Sequence, residues 1–336
     1  MILITGGTGL VGSHLLYKLT EKGHRVRAIY RSEKKIKAVK HVFSYYTKHV
    51  NDFFSKIEWV EADINNIPSL TIAFKGITKV YHCAAFISLD TKDYYALRHV
   101  NIEGTANIVN FCLSNNIEKL CYVSSIATIG DSENGELITE ESHWNPEKDH
   151  NVYAITKYGA EMEIWRGTQE GLNAVVVNPG IIIGPGFWRS GSGSFFTIVH
   201  KGMSHYTNGV EGYVGINDVV VTMIELMESN LQNERYILIS ENLSFKDFFT
   251  KVATELKVKS PKKEASKILL SIAWRLDWLR SFLRNKRRRL TKHSASSVHL
   301  KSFYSSKKIA SAIDYKFTPI DESIVQTSQL FLRDLG

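Results

Sequence analysis

The sequence contains few cysteines and few prolines. Among its 336 residues are six prolines and three cysteines, Cys83, Cys112 and Cys121. The cysteines follow no regular spacing and lie inside apolar runs, which argues against a disulfide framework and favours a reducing compartment. The 12 histidines are scattered without the spacing of metal ligands, so we expect no metal site.

Long apolar runs and targeting signals are also missing. No apolar run approaches the roughly 20 residues needed to cross a bilayer. The first residues, "MILITGG", read directly as a core strand, without the basic region, apolar segment and cleavage site of a secretory signal. We therefore expect a cytoplasmic protein.

Acidic residues are scarce in one segment only. Residues 257–310 contain 16 Lys and Arg but only 2 Asp and Glu, whereas the remaining residues contain 26 Lys and Arg against 32 Asp and Glu. The overall formal charge of +8 therefore comes from one region near the C-terminus. The rest of the chain has the balance of an ordinary acidic globular protein.

The first 180 residues alternate short β-branched apolar runs with longer helical patterns. Helical patterns cover 10–22, 92–115 and 152–170, and 36–56 forms a longer helical connection than this alternation requires. Strands are predicted at 1–5, 25–30, 57–62, 79–84, 119–123 and 173–178. Such alternation, with strands that are apolar on both faces, predicts an α/β fold built on a doubly wound parallel sheet.

The pattern loosens after about residue 180. The glycine-rich stretch "GPGFWRSGSGSFF" is followed by short helices and strands. We assign residues 1–180 to a nucleotide-binding domain, for the reasons that follow. Residues 181–336 are assigned mainly to a smaller C-terminal substrate lobe, with some segments returning to the first domain.

A glycine-rich turn follows the first predicted strand. "MILITGGTGLVGSHLL" places Gly6, Gly9 and Gly12 between this strand and the first helix. Glycine permits the positive φ, the close backbone approach to a pyrophosphate and the tight helix packing that such a turn needs. The helix N-terminus then offers unpaired N–H groups to the phosphates. The turn therefore predicts dinucleotide binding in a Rossmann fold. The expected contacts are Gly6, Thr8, Gly9, Leu10, Val11 and Gly12.

Basic residues follow the second predicted strand. Where an NAD-binding chain usually presents an acid to the ribose 2′-hydroxyl, this sequence has Tyr30 and Arg31, with two lysines close behind. A guanidinium pairs well with a 2′-phosphate, so NADP(H) is favoured over NAD(H). The alternative is that these are solvated loop charges. After the third strand, "EADI" places Asp63 and the backbone of Ile64 where an adenine edge could be read.

Further motifs continue along the chain in a fixed order. They are "HCAAF" (82–86), "VNIEGTANIV" (100–109), "YVSSIATIG" (122–130), "YAITK" (153–157), "NPGIIIGPG" (178–186) and "YVGINDVV" (213–220). With these separations the set resembles the extended short-chain dehydrogenase/reductases, also called the NAD-dependent epimerase/dehydratase family, over essentially the whole chain. The "NPGIIIGPG" segment is most similar to dihydroflavonol-reductase-like and 3β-hydroxysteroid-dehydrogenase-like members.

The resemblance implies positions for cofactor and catalytic residues. The implied cofactor contacts beyond the glycine turn are Ala84, Ala85, Ser124, Tyr153, Lys157, Pro179 and Gly180. The implied catalytic residues are Ser125, Tyr153, Lys157 and Asn101. For Asn101 the alternative is a polar helix residue satisfied by backbone or water. The resemblance also implies a homodimer through a four-helix contact of 92–115 and 152–170.

The chemistry of "YAITK" can be argued from the residues themselves. A tyrosine ordinarily titrates near pH 10, so a tyrosine that acts at neutral pH needs its anion stabilised. Lys157 lies four residues after Tyr153, on the same face of a helix, where its charge would lower the phenol pKa. A serine on the loop after the fifth strand, Ser124 or Ser125, can hydrogen-bond the same substrate oxygen. The family pattern assigns this role to Ser125.

The residues around this set favour one reaction over others. Ile126 and Ala127 stand where dehydratases of the family carry an Asp–Glu pair, which disfavours elimination. Arg31 disfavours a nucleotide-sugar epimerase that retains NAD. Candidate substrate contacts are Phe86, Ile87, Phe187, Trp188 and Arg189. The aromatic residues among them suit a mostly apolar carbonyl substrate, although they could equally form the core of the lobe, and Arg189 leaves open an anionic group on that substrate.

We therefore predict an NADPH-dependent oxidoreductase that reduces a ketone or aldehyde of a mostly apolar small molecule, with Tyr153 as proton donor. Two alternatives stay open. One is an NAD-dependent nucleotide-sugar epimerase. The other is a non-catalytic NADP(H)-sensing protein on the same fold.

The basic segment begins with an amphipathic pattern. Residues 268–283 place five aliphatic residues on one helical face, and "RNKRRRLTKH" follows directly. The five are Ile268, Ile272, Leu276, Leu279 and Leu283. We expect this face to pack on the lobe of its own chain or on a second subunit. Contact of 268–292 with an anionic membrane surface is the less favoured alternative, and no nucleic acid is expected because no recognition module accompanies the charges.

Overall fold

A computed structural model of the chain describes residues 1–132, 135–284, 288 and 290–336. The strands in these residues are β1 (Ile2–Thr5), β2 (Val26–Tyr30), β3 (Ile57–Glu61), β4 (Lys79–His82), β5 (Lys119–Val123), β6 (Ala174–Pro179), β7 (Ile181–Ile183), β8 (His205–Tyr206), β9 (Val210–Gly215), β10 (Glu234–Leu238), β11 (Glu241–Ser244) and β12 (Lys263–Glu264). The helices are α1 (Leu10–Glu21), α2 (Glu33–Phe43), α3 (Val50–Phe54), α4 (Ile67–Ala73), α5 (Tyr94–Arg98), α6 (Gly104–Ser114), α7 (Val152–Gln169), α8 (Gly193–His200), α9 (Ile216–Glu228), α10 (Phe245–Glu255), α11 (Lys267–Arg284), α12 (Lys292–Ser297), α13 (Lys307–Ala312) and α14 (Ile320–Leu335).

Seven parallel strands form the main sheet, in the order β10-β6-β5-β4-β1-β2-β3. One face packs on α1, α2 and α9, and the other on α4, α6 and α7. The six strands predicted from the sequence are all present, and the predicted doubly wound α/β fold is confirmed. The strand order reverses between β1 and β4, which is where open α/β sheets bind ligands at their carboxyl edge.

Two predicted helical stretches are interrupted. The stretch predicted at 92–115 divides into a short 3₁₀ turn at Thr91–Asp93, α5, a π-helical turn at His99–Glu103, and α6. The connection predicted at 36–56 divides into α2 and α3. The π-helical turn is relevant to the site because π-turns within helices often occur at functional positions.

A smaller lobe is built from the C-terminal half of the chain. Its three-stranded sheet has the order β11-β9-β7, and its apolar core is formed with α8, α10 and α14. Two elements of the C-terminal half belong to the main sheet instead. Strand β10 pairs with β6 along its length, and α9 covers one face of the sheet.

Helix α11 differs from the expectation in the direction of its apolar face. The five aliphatic residues from Ile268 to Leu283 that were predicted to pack on the protein are 44–75% exposed. The chain's own lobe therefore does not cover this face, and the other expectation, that it packs on a second subunit, stays a prediction. The helix turns its other side inward, where Ser281 is 4% exposed and Asp277 accepts a hydrogen bond from the backbone of Leu290. In the described part of the chain no helix combines the length and apolar composition required to span a bilayer.

Candidate active site

The glycine turn sits between β1, β4 and the start of α1. Gly6 has a φ of +67°, and a Cβ built there would lie 2.5 Å from the backbone nitrogen of Ala84 at the end of β4. A Cβ at Gly12 would overlap the carbonyl oxygen of Gly6. Neither position has room for a larger residue. As a result, the first turn of α1, with Leu10 and Val11, begins directly at the carboxyl edge of the sheet.

A groove of about 400 Å³ opens at this edge. Among the predicted cofactor contacts, its lining includes Gly6, Thr8, Gly9, Arg31, Ile64, Ala84 and Ala85. Residues not named as contacts from the sequence also line it, namely Ile29, Tyr30, Ser32, Lys35, Ala62, Cys83 and Val100. The guanidinium of Arg31 lies 3.5 Å from the Asp63 carboxylate, and both side chains remain well exposed. The end of the groove beside β2 therefore carries Lys35 and the Arg31–Asp63 pair and is open to solvent.

The candidate proton donor and its serine lie together at the ends of β5 and α7. Ser125 directly precedes a short 3₁₀ turn, and its hydroxyl oxygen accepts a hydrogen bond from the backbone of Ala127 at 3.2 Å. Tyr153 lies in the first turn of α7, which Asn151 caps by accepting from Ala154 N at 2.8 Å. Burial raises the pKa of Tyr153 to about 12, and a hydrogen bond with Ser125 opposes this rise. The predicted Ser–Tyr pair is thus brought into contact.

Lys157 lies one helical turn further along α7 and is fully buried. Its ammonium donates to the hydroxyl of Tyr122 at 2.5 Å and to the carbonyl of Val123 at 2.8 Å. Burial lowers the pKa of Lys157 to about 7, while the charge of Glu161 opposes this shift. The lysine is therefore held at the end of β5, beside the Ser–Tyr pair.

A buried polar chain behind the groove was not foreseen from the sequence. The hydroxyl of Thr5 lies 2.6 Å from His82 Nδ1, and His82 Nε2 lies 3.0 Å from the hydroxyl of Thr105. Burial, helped by the positive charge of Lys157, lowers the pKa of His82 to about 3. The imidazole is accordingly neutral and ties the ends of β1 and β4 to α6. No local pattern marks such a chain, because its members come from three elements.

A second feature missed from the sequence is the buried carboxylate of Glu161. Its oxygens accept hydrogen bonds from Ser124 Oγ at 2.6 Å, Thr128 Oγ1 at 2.7 Å, Asn178 Nδ2 at 3.0 Å, Trp165 Nε1 at 3.3 Å and Arg235 Nη1 at 3.3 Å. The cluster joins β5, α7, β6 and β10. It lies beneath the loop that carries Ser125, and the hydroxyl of Ser124 is committed to it.

Pro179 and Gly180, two further predicted cofactor contacts, lie where β6 passes to β7. Pro179 is the last residue of β6 and is buried. A Cβ at Gly180 would overlap the carbonyl oxygen of Gly212 and the side chain of Ile239. The glycine therefore allows the small sheet to approach the main sheet closely.

Asn101 occupies the π-helical turn and is almost completely buried. Its oxygen accepts from the backbone nitrogen of Phe86 at 2.7 Å, and its amide donates to the Phe86 carbonyl at 3.0 Å and to Thr156 Oγ1 at 3.1 Å. These bonds fix the loop after β4 against α7, the helix that carries Tyr153. The side chain of Asn101 is therefore hydrogen-bonded within the protein, and its catalytic role stays a prediction.

The aromatic residues of the candidate substrate wall separate into two groups. Trp188 packs on Phe196 and Phe331 in the core of the lobe and donates its indole N–H to Asp334 at 2.8 Å. Phe187 is half-buried and Arg189 is exposed. On the loop after β4, Phe86 is half-buried and Ile87 is exposed. The loop group directly follows Ala84 and Ala85, which line the groove.

Neither a metal-ligand cluster nor a reactive thiol accompanies the site. Across the described residues, no group of three or more His, Cys, Asp and Glu side chains could hold a metal ion. Cys83 lines the groove, but burial raises the pKa of its thiol to about 12. This makes Cys83 a poor nucleophile at neutral pH.

Comparison with known proteins places these features in a family. A model of the NAD dependent epimerase/dehydratase family matches residues 2–234. The chain belongs to this family. A Synechocystis sp. protein named "Putative dihydroflavonol 4-reductase" is 31% identical to this chain over 281 residues, which cover 81% of this chain and 77% of the relative. Cinnamoyl-CoA reductase 1 from Petunia hybrida is 26% identical over 247 residues, or 70% of this chain and 72% of the relative.

Solved structures give the same fold. A crystal structure of UDP-glucose 4-epimerase from Thermotoga maritima with UDP-glucose superposes with a TM-score of 0.78 and 20% identity, covering 100% of this chain and 99% of that one. The family membership and the reductase relatives confirm the sequence-based prediction of an NAD(P)-dependent oxidoreductase.

Proposed function

We propose that this protein is an NADPH-dependent reductase that converts a ketone or aldehyde of a mostly apolar small molecule to an alcohol. The observation that carries the proposal is the contact between Ser125 and Tyr153 at the carboxyl edge of the sheet, with Lys157 one helical turn away. The reductase names of the sequence relatives support the same reaction class.

The groove fits a nicotinamide dinucleotide. Gly6 and Gly12 leave a cradle that a Cβ would fill, and the N-terminus of α1 points its free N–H groups at this edge, where a pyrophosphate would be favoured. Arg31 and Lys35 line the end of the groove beside β2. Two basic side chains there favour a 2′-phosphate over a free ribose hydroxyl, which supports NADP(H).

When bound, the dinucleotide supplies the hydride that the carbonyl carbon accepts. Tyr153 would donate its phenolic proton to the carbonyl oxygen, and Ser125 would hold that oxygen by a hydrogen bond. Protonated Lys157 would stabilise the phenolate that remains, since a nearby positive charge favours the anionic form of a phenol. The phenolate then recovers a proton from solvent, which completes the balance of one hydride and one proton added to the carbonyl.

The test combines cofactor binding with turnover. Tyr153→Phe should abolish NADPH oxidation with aromatic and aliphatic carbonyls and leave NADPH affinity nearly unchanged, because only the proton donor is removed. Tyr158→Phe is the matched control, since it removes one hydroxyl from the same helix, where the ring of Tyr158 stacks on Trp144. Retained turnover in Tyr153→Phe would overturn the mechanism.

Cofactor preference is measured on the same proteins. Titration should show tighter binding of NADPH than of NADH, and Arg31→Ala should weaken NADPH binding by about ten-fold, the loss of one charge-assisted pair, while NADH binding changes little. Mass analysis of the purified protein shows whether a cofactor is retained. Tightly retained NAD, together with stabilisation by UDP, would favour a nucleotide-sugar epimerase instead.

A further inference from the structure

Helix α11 exposes a continuous apolar stripe, defined here as Ile268, Ile272, Leu276, Leu279 and Leu283. The exposed fractions of these residues are 75%, 52%, 61%, 44% and 71%. Leu269 and Phe282 border the stripe and are 42% and 69% exposed. At 3.6 residues per turn these side chains extend along the whole helix, which covers about 27 Å at 1.5 Å per residue.

The orientation of α11 is the reverse of an ordinary surface helix. Such a helix turns its apolar face inward and its polar face to water. In α11 the inward side includes Asp277 and Ser281, and the Asp277 carboxylate accepts from Arg280 at 2.6 Å. The polar groups of the inward side are thus hydrogen-bonded within α11 and to the residues just after it, while the apolar stripe faces out. A contiguous exposed apolar surface of this kind marks a contact site.

The charges around the stripe indicate what covers it. Lys267 at the start of α11 and Arg275 within it are exposed basic residues. The sequence "RNKRRR" follows at 284–289, within a segment that holds 16 Lys and Arg against 2 Asp and Glu. A helix with an apolar face and adjacent Lys and Arg suits the interface of an anionic membrane. A second copy of this chain would bring the same basic segment against itself, and like charges across an interface oppose association.

The position of α11 relative to the groove adds a second observation. The backbone nitrogen of Arg288, just after the helix, donates to the Asp90 carboxylate at 3.4 Å. The ring of His293 hydrogen-bonds the Asp149 carbonyl at 3.0 Å. Asp90 belongs to the loop after β4, and Asp149 precedes α7. Arg288 and His293 therefore lie beside the two loops that flank the candidate active site.

The loop after β4 carries further exposed apolar side chains. Ile87 and Leu89 are 64% and 44% exposed, and the same loop lines the groove through Ala84 and Ala85. We propose that α11 lies in the surface layer of an anionic membrane, with the stripe among the acyl chains and the basic residues against the lipid headgroups. If the proposed reductase activity holds, this position would bring an apolar substrate from the lipid to the mouth of the groove.

The test uses the full chain and vesicles of two compositions, phosphatidylcholine alone and phosphatidylcholine mixed with phosphatidylserine. Co-flotation should show binding to the mixed vesicles, weaker binding to the neutral ones, and release by high salt. The double variant Ile272→Glu/Leu279→Glu should bind the mixed vesicles at least about ten-fold more weakly, because it places two charges in the apolar face. Ile72→Glu is the matched control, since Ile72 is 58% exposed on α4; its vesicle binding should equal that of the wild type.

A charge variant separates the two contributions. Lys267→Glu/Arg275→Glu should lose binding to the mixed vesicles and keep its weak binding to the neutral ones. The four altered residues of α11, namely Lys267, Ile272, Arg275 and Leu279, are all exposed. The NADPH affinity and the circular dichroism spectrum should therefore be unchanged in every variant. These measurements do not depend on turnover, so they stand even if the carbonyl reduction is refuted.

Three results would overturn the membrane proposal. One is the absence of binding to either kind of vesicle. Another is equal binding to both kinds with no effect of salt or of the charge variant. The third is a wild-type dimer, seen by sedimentation, that dissociates in Ile272→Glu/Leu279→Glu while vesicles are not bound; a second copy would then be the partner of the stripe.

Discussion

Removal of the charge at Glu161 tests whether the buried carboxylate cluster holds the site together. In Glu161→Gln the shape is kept, but an amide has a single acceptor oxygen. Glu161 Oε2 accepts from Ser124, Thr128 and Asn178, and Oε1 accepts from Trp165 and Arg235. Whichever way the glutamine amide is turned, its NH₂ group faces donors.

The expected loss follows from the burial of these groups. Removing one partner of a buried ion pair costs about 3–5 kcal/mol, because the remaining charge and donors are left unsatisfied. For a chain of 336 residues, an unfolding entropy of about 2.1 cal/mol/K per residue amounts to about 0.7 kcal/mol/K. The melting temperature should therefore fall by about 4–7 °C.

The assay is differential scanning calorimetry at neutral pH, with Glu163→Gln as the control. Glu163 lies two residues away on α7 and pairs at the surface with Arg166 at 2.8 Å. An exposed pair contributes at most about 1 kcal/mol, so this control should melt within about 1–2 °C of the wild type. If Glu161→Gln melted as the control does, the carboxylate would not be the acceptor on which these five donors depend, and the argument would be refuted.

Two further predictions concern the glycine turn and the buried lysine. Gly6→Ala should weaken NADPH binding at least about ten-fold, because its Cβ would collide with Ala84 N in addition to the left-handed strain of about 1–2 kcal/mol. Gly23→Ala is the control, because Gly23 has a φ of +83° but no atom lies within 4 Å of a Cβ built there. This variant has the left-handed backbone strain without a collision and should bind NADPH normally. Equal NADPH binding by both variants would contradict the prediction. Burial lowers the folded-state pKa of Lys157 to about 7 from 10.5, so between these values the unfolded chain binds more protons and the free energy of unfolding rises with pH. Urea unfolding should show a rise of about 2 kcal/mol from neutral pH to about pH 9. This rise should be absent in Lys157→Met, and an equal rise in the variant would contradict the prediction.

Much of the fold and the core of the site followed from local sequence patterns. Strand–helix alternation, the glycine turn and the Tyr153–Lys157 spacing each occupy one or two adjacent elements. Backbone geometry links such residues whatever the rest of the chain does, since a helix places i and i+4 on one face and a strand–glycine–helix turn forms within a few residues. The sequence by itself therefore predicted the six strands, the glycine turn and the Tyr153–Lys157 pair, whereas the strand order, the addition of β10 and the contact of Ser125 with Tyr153 depend on packing between separate elements.

The tertiary structure decided the partners of individual side chains. Sequence reasoning could not choose between substrate wall and lobe core for Trp188, because its partner Asp334 lies 146 residues away. Nothing in the sequence singled out Glu161, because two of its donors come from the distant strands β6 and β10. Such contacts depend on long-range packing, which composition and periodicity do not encode.

The difference between what a local pattern predicts and what long-range packing decides is clearest in helix α11. Its amphipathic pattern was evident in the sequence, but the expectation that the stripe packs on the chain's own lobe was wrong, and packing on a second subunit stays a prediction. Periodicity establishes that one face is apolar; it does not say whether that face meets the protein or the solvent. In the folded chain the opposite face turns inward, where Ser281 is buried and Asp277 accepts from the backbone of Leu290, as buried polar groups must find hydrogen-bond partners.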